Sequence, residues 1–133
     1  MNALKATLLA LMMVGPSAVE AQELVPTMNR QFHVCAERPV EPEWMGELPV
    51  RDNYKRLVIQ SIYELQSHQA VAESGECTCA TRFPSWDAAV ERFNDNYLGQ
   101  DRSSLREVRD EYRAEANELR QSVRPICEAA GNW

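Results

Sequence analysis

Apolar residues spaced three and four apart recur through the second half of this chain. From about Asp52 to Glu73, Tyr54, Leu57, Val58, Ile62 and Leu65 fall on one side of a 3.6-residue repeat, which predicts an amphipathic helix with Asp52 as its cap and Gly75 as its stop. A second helix is expected after Pro84 with Ser85 as N-cap and Asp87 in its first turn. Its apolar stripe is Trp86, Val90, Phe93 and Tyr97, and Gly99 closes it. The third begins with a capping-box pattern, Ser104 and Glu107. Leu105, Val108, Tyr112, Ala116, Leu119 and Val123 mark its buried face, and Pro125 is expected to kink or end it. Asp110 and Arg113 are spaced to pair on its polar face. No run alternates as a strand does, so the expected fold is all-α: a small three-helix antiparallel bundle spanning 51–133.

The pattern changes before Val50. Between Gln22 and Val50 the chain carries Pro26, Pro39, Pro42 and Pro49, each without an amide hydrogen and each restricting its predecessor, so an extended arm is expected over 22–50 rather than a long helix. Phe32, Val34, Trp44, Met45 and Leu48 make this arm too apolar to be a mere tail. Two uses compete for it: packing along the helices, or presenting "EPEWMGELP" to a partner. In the second use Trp44, Met45, Glu41 and Glu43 are the contact residues, with an exposed Trp as the anchor.

The first residues have a different logic. Lys5, an apolar run from Ala6 to Val14, the Gly15-Pro16 break and the small residues up to Ala21 form a secretory signal peptide over 1–21. The run falls well short of the roughly 18 to 20 apolar residues that a spanning helix needs, and no later stretch is long enough. A periplasmic or secreted protein without a membrane span after cleavage is expected.

Export changes the meaning of the four cysteines, Cys35, Cys77, Cys79 and Cys127. In an oxidising compartment an even count favours disulfides, and a small domain gains most from them. Four cysteines allow three connectivities. Cys77 and Cys79 are too close to bridge each other comfortably, so each is expected to seek Cys35 or Cys127, with the assignment left open. In an antiparallel bundle the end of the third helix lies beside the turn between the first two, which brings Cys127 to the Cys77–Cys79 turn. The first helix, about 33 Å long at 1.5 Å per residue, is easily matched by the stretch from Cys35 to Arg51, which can extend to roughly 50 Å. Each bridge is then worth about 3–4 kcal/mol in the chain-entropy model.

Other chemistry finds less support in the residues. A zinc site built from His33, Cys35, Cys77 and Cys79 lacks the usual ligand spacing, and a redox-active Cys-X-Cys lacks a helix N-terminus next to Cys79. His33 and His68 are the only histidines; His68, among polar neighbours, reads as a solvated helix residue. There is no nucleophile elbow, phosphate loop or metal-binding helix motif, so neither an enzyme nor a cofactor is expected. The net charge is −6, and Lys55 is the only lysine beyond Lys5. That acidic balance without a sustained basic run argues against direct nucleic-acid binding. Trp86 reads as core and Trp133 as a cap on the bundle end.

"ECTCATRFPSWDAAVERF", the charged helix that follows it, and "RPICEAAG", together with the signal peptide and the small size, resemble small periplasmic proteins of conjugative type IV secretion operons. The resemblance covers roughly Glu76 to Gly131. It implies an accessory role in DNA transfer or its envelope apparatus, through contact with an envelope or secretion-apparatus protein, and carries over no catalytic residue. A secreted effector or inhibitor is the alternative class, and a small envelope enzyme a third.

Overall fold

The structure, a computed structural model, describes residues 35–133. The expected signal peptide and the first part of the arm, with Phe32, His33 and Val34, lie outside the described residues. What is described is all-helical, with no strand: α1 (Glu43–Gly46), a 3-10 turn at Val50–Asp52, α2 (Asn53–Ser74), α3 (Cys79–Arg82), α4 (Asp87–Tyr97) and α5 (Arg102–Ala129). Three long helices therefore come with two single-turn ones, instead of three helices and an extended arm. No described helix is long and apolar enough to cross a membrane.

Helix α2 is the centre, with α1, α3, α4 and α5 all packed against it. It runs in the same direction as α5. Arg102, at the start of α5, sits over the Tyr54 ring at 5.9 Å, His68 meets Ala116 halfway along, and Val71 packs with Val123 and Cys127 near the far end. The larger core joins Met45, Val58, Ile59, Ile62, Ala89, Phe93 and Leu105. The periodic reading of α2 places Leu57 inside, yet it is 40% exposed, and Ile59, two positions on, is fully buried. The buried arc of α2 is rotated toward α5 and α4, and it takes in Ser61, Ser67 and His68. Ser61 is accommodated there because its hydroxyl donates to Val58 O at 2.8 Å.

Helix ends differ in detail from the expectation. Gly75 stops α2 with φ +69°, in the left-handed region that favours glycine, and its amide bonds Val71 O at 2.9 Å. Asp52 makes no capping bond and instead lies 3.4 Å from Lys55 Nζ. At α5 the cap is Asp101 rather than Ser104: Asp101 Oδ1 accepts from the amides of Ser103 and Ser104 at 2.8 and 3.0 Å, which holds its carboxyl below the usual carboxylate range. Ser85 accepts from the Asp87 amide at 3.2 Å just ahead of α4. Pro125 does not end α5, which continues to Ala129; the disulfide at Cys127 ties down the turn that proline would otherwise release. Asp110 pairs with Arg109 at 2.7 Å rather than with Arg113.

Candidate functional site

All four cysteines meet at one end of the fold. Cys35 is bonded to Cys79 and Cys77 to Cys127, with Cα separations of 5.5 and 5.0 Å. The arm and the C-terminal end of α5 are thus tied to the single turn between α2 and α3, and the assignment that the sequence leaves open is settled. Every one of the four sulfurs is engaged in a bridge; Cys79, expected to lie away from any helix N-terminus, is the first residue of the single-turn α3.

The two bridges have different surroundings. Cys77 and Cys127 sit in a small apolar cluster with Val71 and Val123, whereas Cys79 is exposed as the first residue of α3. Thr78 sets that turn: its hydroxyl accepts from the Thr81 amide, and its own amide donates to Thr81 Oγ1 at 2.9 Å. Between the bridges lies Asn132, only 7% exposed. Its Nδ2 donates to Cys77 O at 3.2 Å, its amide donates to Cys127 O at 2.8 Å, and its Oδ1 lies 3.0 Å from Cys35 Sγ. A disulfide sulfur carries no hydrogen, so this last approach is a contact rather than a hydrogen bond. Gly131, at φ +70°, makes the reversal that brings Asn132 back into the cluster. Its amide bonds Glu128 O while the Asn132 amide bonds Cys127 O, the paired closure of a Schellman turn.

His68 is a buried residue, 2% exposed, and not the solvated one expected. Its Nδ1 is 2.9 Å from Ala116 O; a carbonyl only accepts, so Nδ1 carries the hydrogen. Burial pushes its pKa below the usual histidine value. Beside it, Trp133 lies between the guanidinium groups of Arg82 and Arg120, at 4.9 and 5.1 Å from the ring centre. Trp133 packs, partly buried, against the cluster of Val71, Cys77, Val123 and Cys127.

The residues expected to contact a partner separate into two kinds. Met45 is fully buried in the larger core, and Glu41 is committed to α2: Arg56 Nε and Nη2 donate to its two carboxylate oxygens at 2.9 and 2.6 Å, and Gln60 adds a third bond at 2.9 Å. Those bonds, the Arg56 pair foremost, hold the Glu41 carboxyl below the ordinary glutamate range. Trp44 and Glu43 face outward, with Trp44 43% exposed. Val40 and Val50, on the same arm, are exposed at 86% and 96%. Glu41 and Met45 therefore anchor the arm, and Val40, Trp44 and Val50 are what it presents. The period of the sequence could not separate these two sets, because prolines interrupt it at every few positions.

Two clefts flank the arm. One of about 630 Å³ has the Cys35–Cys79 bridge, Arg38 and Phe83 in its walls, and one of about 370 Å³ adjoins it at Pro39, Tyr63 and Trp86. Trp86 is half-buried here, stacked on Tyr63 at 3.8 Å between ring centres and donating from Nε1 to Pro39 O at 3.3 Å. At the opposite end, Tyr54, Leu57, Arg102, Arg106 and Arg109 surround a cleft of about 100 Å³.

No family model, curated protein or solved structure matches this chain.

Proposed function

We propose that this is an exported protein that acts by protein-protein contact in the cell envelope, as an accessory component of a type IV secretion or conjugation apparatus, and that its contact surface is the arm around Trp44. The observation that supports this reading is the division of labour along the arm. Glu41 and Met45 fix the backbone on α2, and the Cys35–Cys79 bridge fixes its far end, so that Val40, Trp44 and Val50 are held in water on a backbone that is already ordered. Ordering these side chains before an encounter lowers the entropy lost on binding, and a rigidly presented Trp is a common energetic anchor of interfaces. The two disulfides agree with maturation under oxidising conditions. The apparatus itself rests on the resemblance over Glu76 to Gly131.

The test is binding of purified envelope subunits of such an apparatus to the immobilised protein and to its Trp44→Ala variant. Expected is at least a tenfold loss of affinity, about 1.4 kcal/mol or more, with an unchanged melting temperature. Full binding by Trp44→Ala removes the arm as the contact surface. Binding to no subunit, together with inhibition of an enzyme outside the cell, moves the protein to the effector or inhibitor class.

A further inference from the structure

The two disulfides interleave along the chain: Cys35 bonds past Cys77 to Cys79, and Cys77 bonds past Cys79 to Cys127. The alternative isomer, Cys35 with Cys77 and Cys79 with Cys127, joins each cysteine to its neighbour in sequence. In the unfolded chain nothing separates the two. Exchanging Cys77 for Cys79 changes each loop by two residues, and loop-closure probability then differs by less than about 10%. A chain oxidised as it emerges from its N-terminus meets Cys77 first, which favours the sequential isomer.

The folded protein discriminates where the unfolded chain does not. Cys77 is 6% exposed among Val71, Val123 and Cys127, whereas Cys79 stands in the first turn of α3, closed by Thr78 and Thr81. Pairing Cys79 with Cys127 would draw that turn into the cluster and open its cap. The Asn132 side chain touches both native bridges, with Nδ2 donating to Cys77 O and Oδ1 at 3.0 Å from Cys35 Sγ, while its backbone amide closes the turn at the end of α5 on Cys127 O. Its buried amide would lose its partner on Cys77 in the other isomer.

From this we infer that the native pairing is reached by thiol-disulfide exchange from the sequential isomer, catalysed by a dithiol isomerase of the compartment, and that Asn132 is the positioning residue that selects the product. The exchange balances. A thiolate of the isomerase attacks Cys77 Sγ, forming a mixed disulfide and releasing the Cys35 thiolate. Cys35 attacks Cys79 Sγ, making the first native bridge and releasing the Cys127 thiolate. Cys127 attacks Cys77 Sγ, making the second native bridge and returning the isomerase thiol. Two disulfides enter and two leave, without net oxidation.

The experiment takes the reduced, unfolded chain and oxidises it either with diamide free of thiol or with a catalytic amount of a dithiol isomerase in glutathione buffer. Bridges are then assigned by electron-transfer fragmentation, which cuts the backbone between Cys77 and Cys79. Expected under diamide is a sequential fraction about as large as the native one, which converts to the native isomer once the isomerase is added, and a severalfold larger residual sequential fraction for Asn132→Ala at equilibrium. Native bridges formed directly under diamide, at the same yield as with the isomerase, would overturn the exchange route. An unchanged isomer ratio for Asn132→Ala would remove its selecting role. Should that variant not fold, two chains decide, one keeping only Cys35 and Cys77 and the other only Cys35 and Cys79. Their bridges should be equally stable toward glutathione in urea and the second more stable in buffer; equality in buffer contradicts selection by the fold.

Discussion

The larger cluster, around Ile59, Ile62, Phe93 and Leu105, is closed by aliphatic and aromatic side chains from three long helices and α1, whereas the smaller one, around Val71 and Val123, has a disulfide, an adjoining second disulfide and Asn132 where further apolar bulk would otherwise stand. The first is specified by non-directional packing: shape and apolar area decide it, and several side chains share each contact. The second has too few apolar groups for that, and it is specified by bonds with direction, covalent ones between the cysteines and hydrogen bonds around Asn132. Aliphatic packing tolerates modest repacking. A junction of covalent and hydrogen bonds tolerates very little. A small domain can thus close a thin end without enlarging its core, and the cost is a dependence on correct oxidation.

This contrast orders the expected effects of change. Reducing both bridges should be the most damaging, since loops of 44 and 50 residues are worth about 4 kcal/mol each in the chain-entropy model. That is comparable with the whole net stability of a small domain. Thermal melting with and without a phosphine reductant reads it, and equal melting would mean that the thin end needs no staple. Ile62→Ala, in the packed cluster, should cost about 2–5 kcal/mol by chemical denaturation, with both bridges intact. Asn132→Ala should cost less, about 1–3 kcal/mol, by leaving Cys77 O without its donor.

Next comes a pH effect. His68 has a folded pKa below its unfolded value of about 6.5, so the unfolded chain binds more protons in that range, and stability is lost as pH falls below about 6.5 toward the folded pKa. His68→Gln should flatten the stability profile there. A steeper loss starting only below about 4.5, where Glu41 and other carboxylates protonate in the unfolded chain, should remain. An unchanged slope between pH 5 and 6.5 would place the responsible group elsewhere. Smallest of all for stability is Trp44→Ala, expected within about 0.5 kcal/mol as a surface change.

Much of the packed region was legible in the sequence. Val58, Ile62, Leu65, Phe93, Leu105, Ala116 and Val123 stand where the 3.6-residue period puts them, and the convergence of the cysteines followed from the helix order. The polar members of the fold were not. His68 was hidden by Gln66, Ser67 and Gln69, although its spacing of three from both Leu65 and Val71 is a core spacing. Asn132 belongs to no periodic element, and its burial depends on the left-handed turn at Gly131 and on the two bridges. The choice between Cys77 and Cys79 has no periodic signal either, since Cys77 lies just ahead of a four-residue helix and Cys79 is its first residue. In the arm, prolines mask which side chains turn inward, so Met45 and Trp44 looked alike. Tertiary contact alone separates them.

The contrast between the two clusters is tested most directly by hydrogen exchange on the Cys77→Ser, Cys127→Ser double variant, which keeps the Cys35–Cys79 bridge. The predicted result is loss of amide protection confined to the thin end, from Val71 to Cys79 and from Val123 to Trp133, with Val58 to Leu65, α4 and Leu105 to Tyr112 still protected. Equal loss of protection throughout the chain, or none at all, would contradict it.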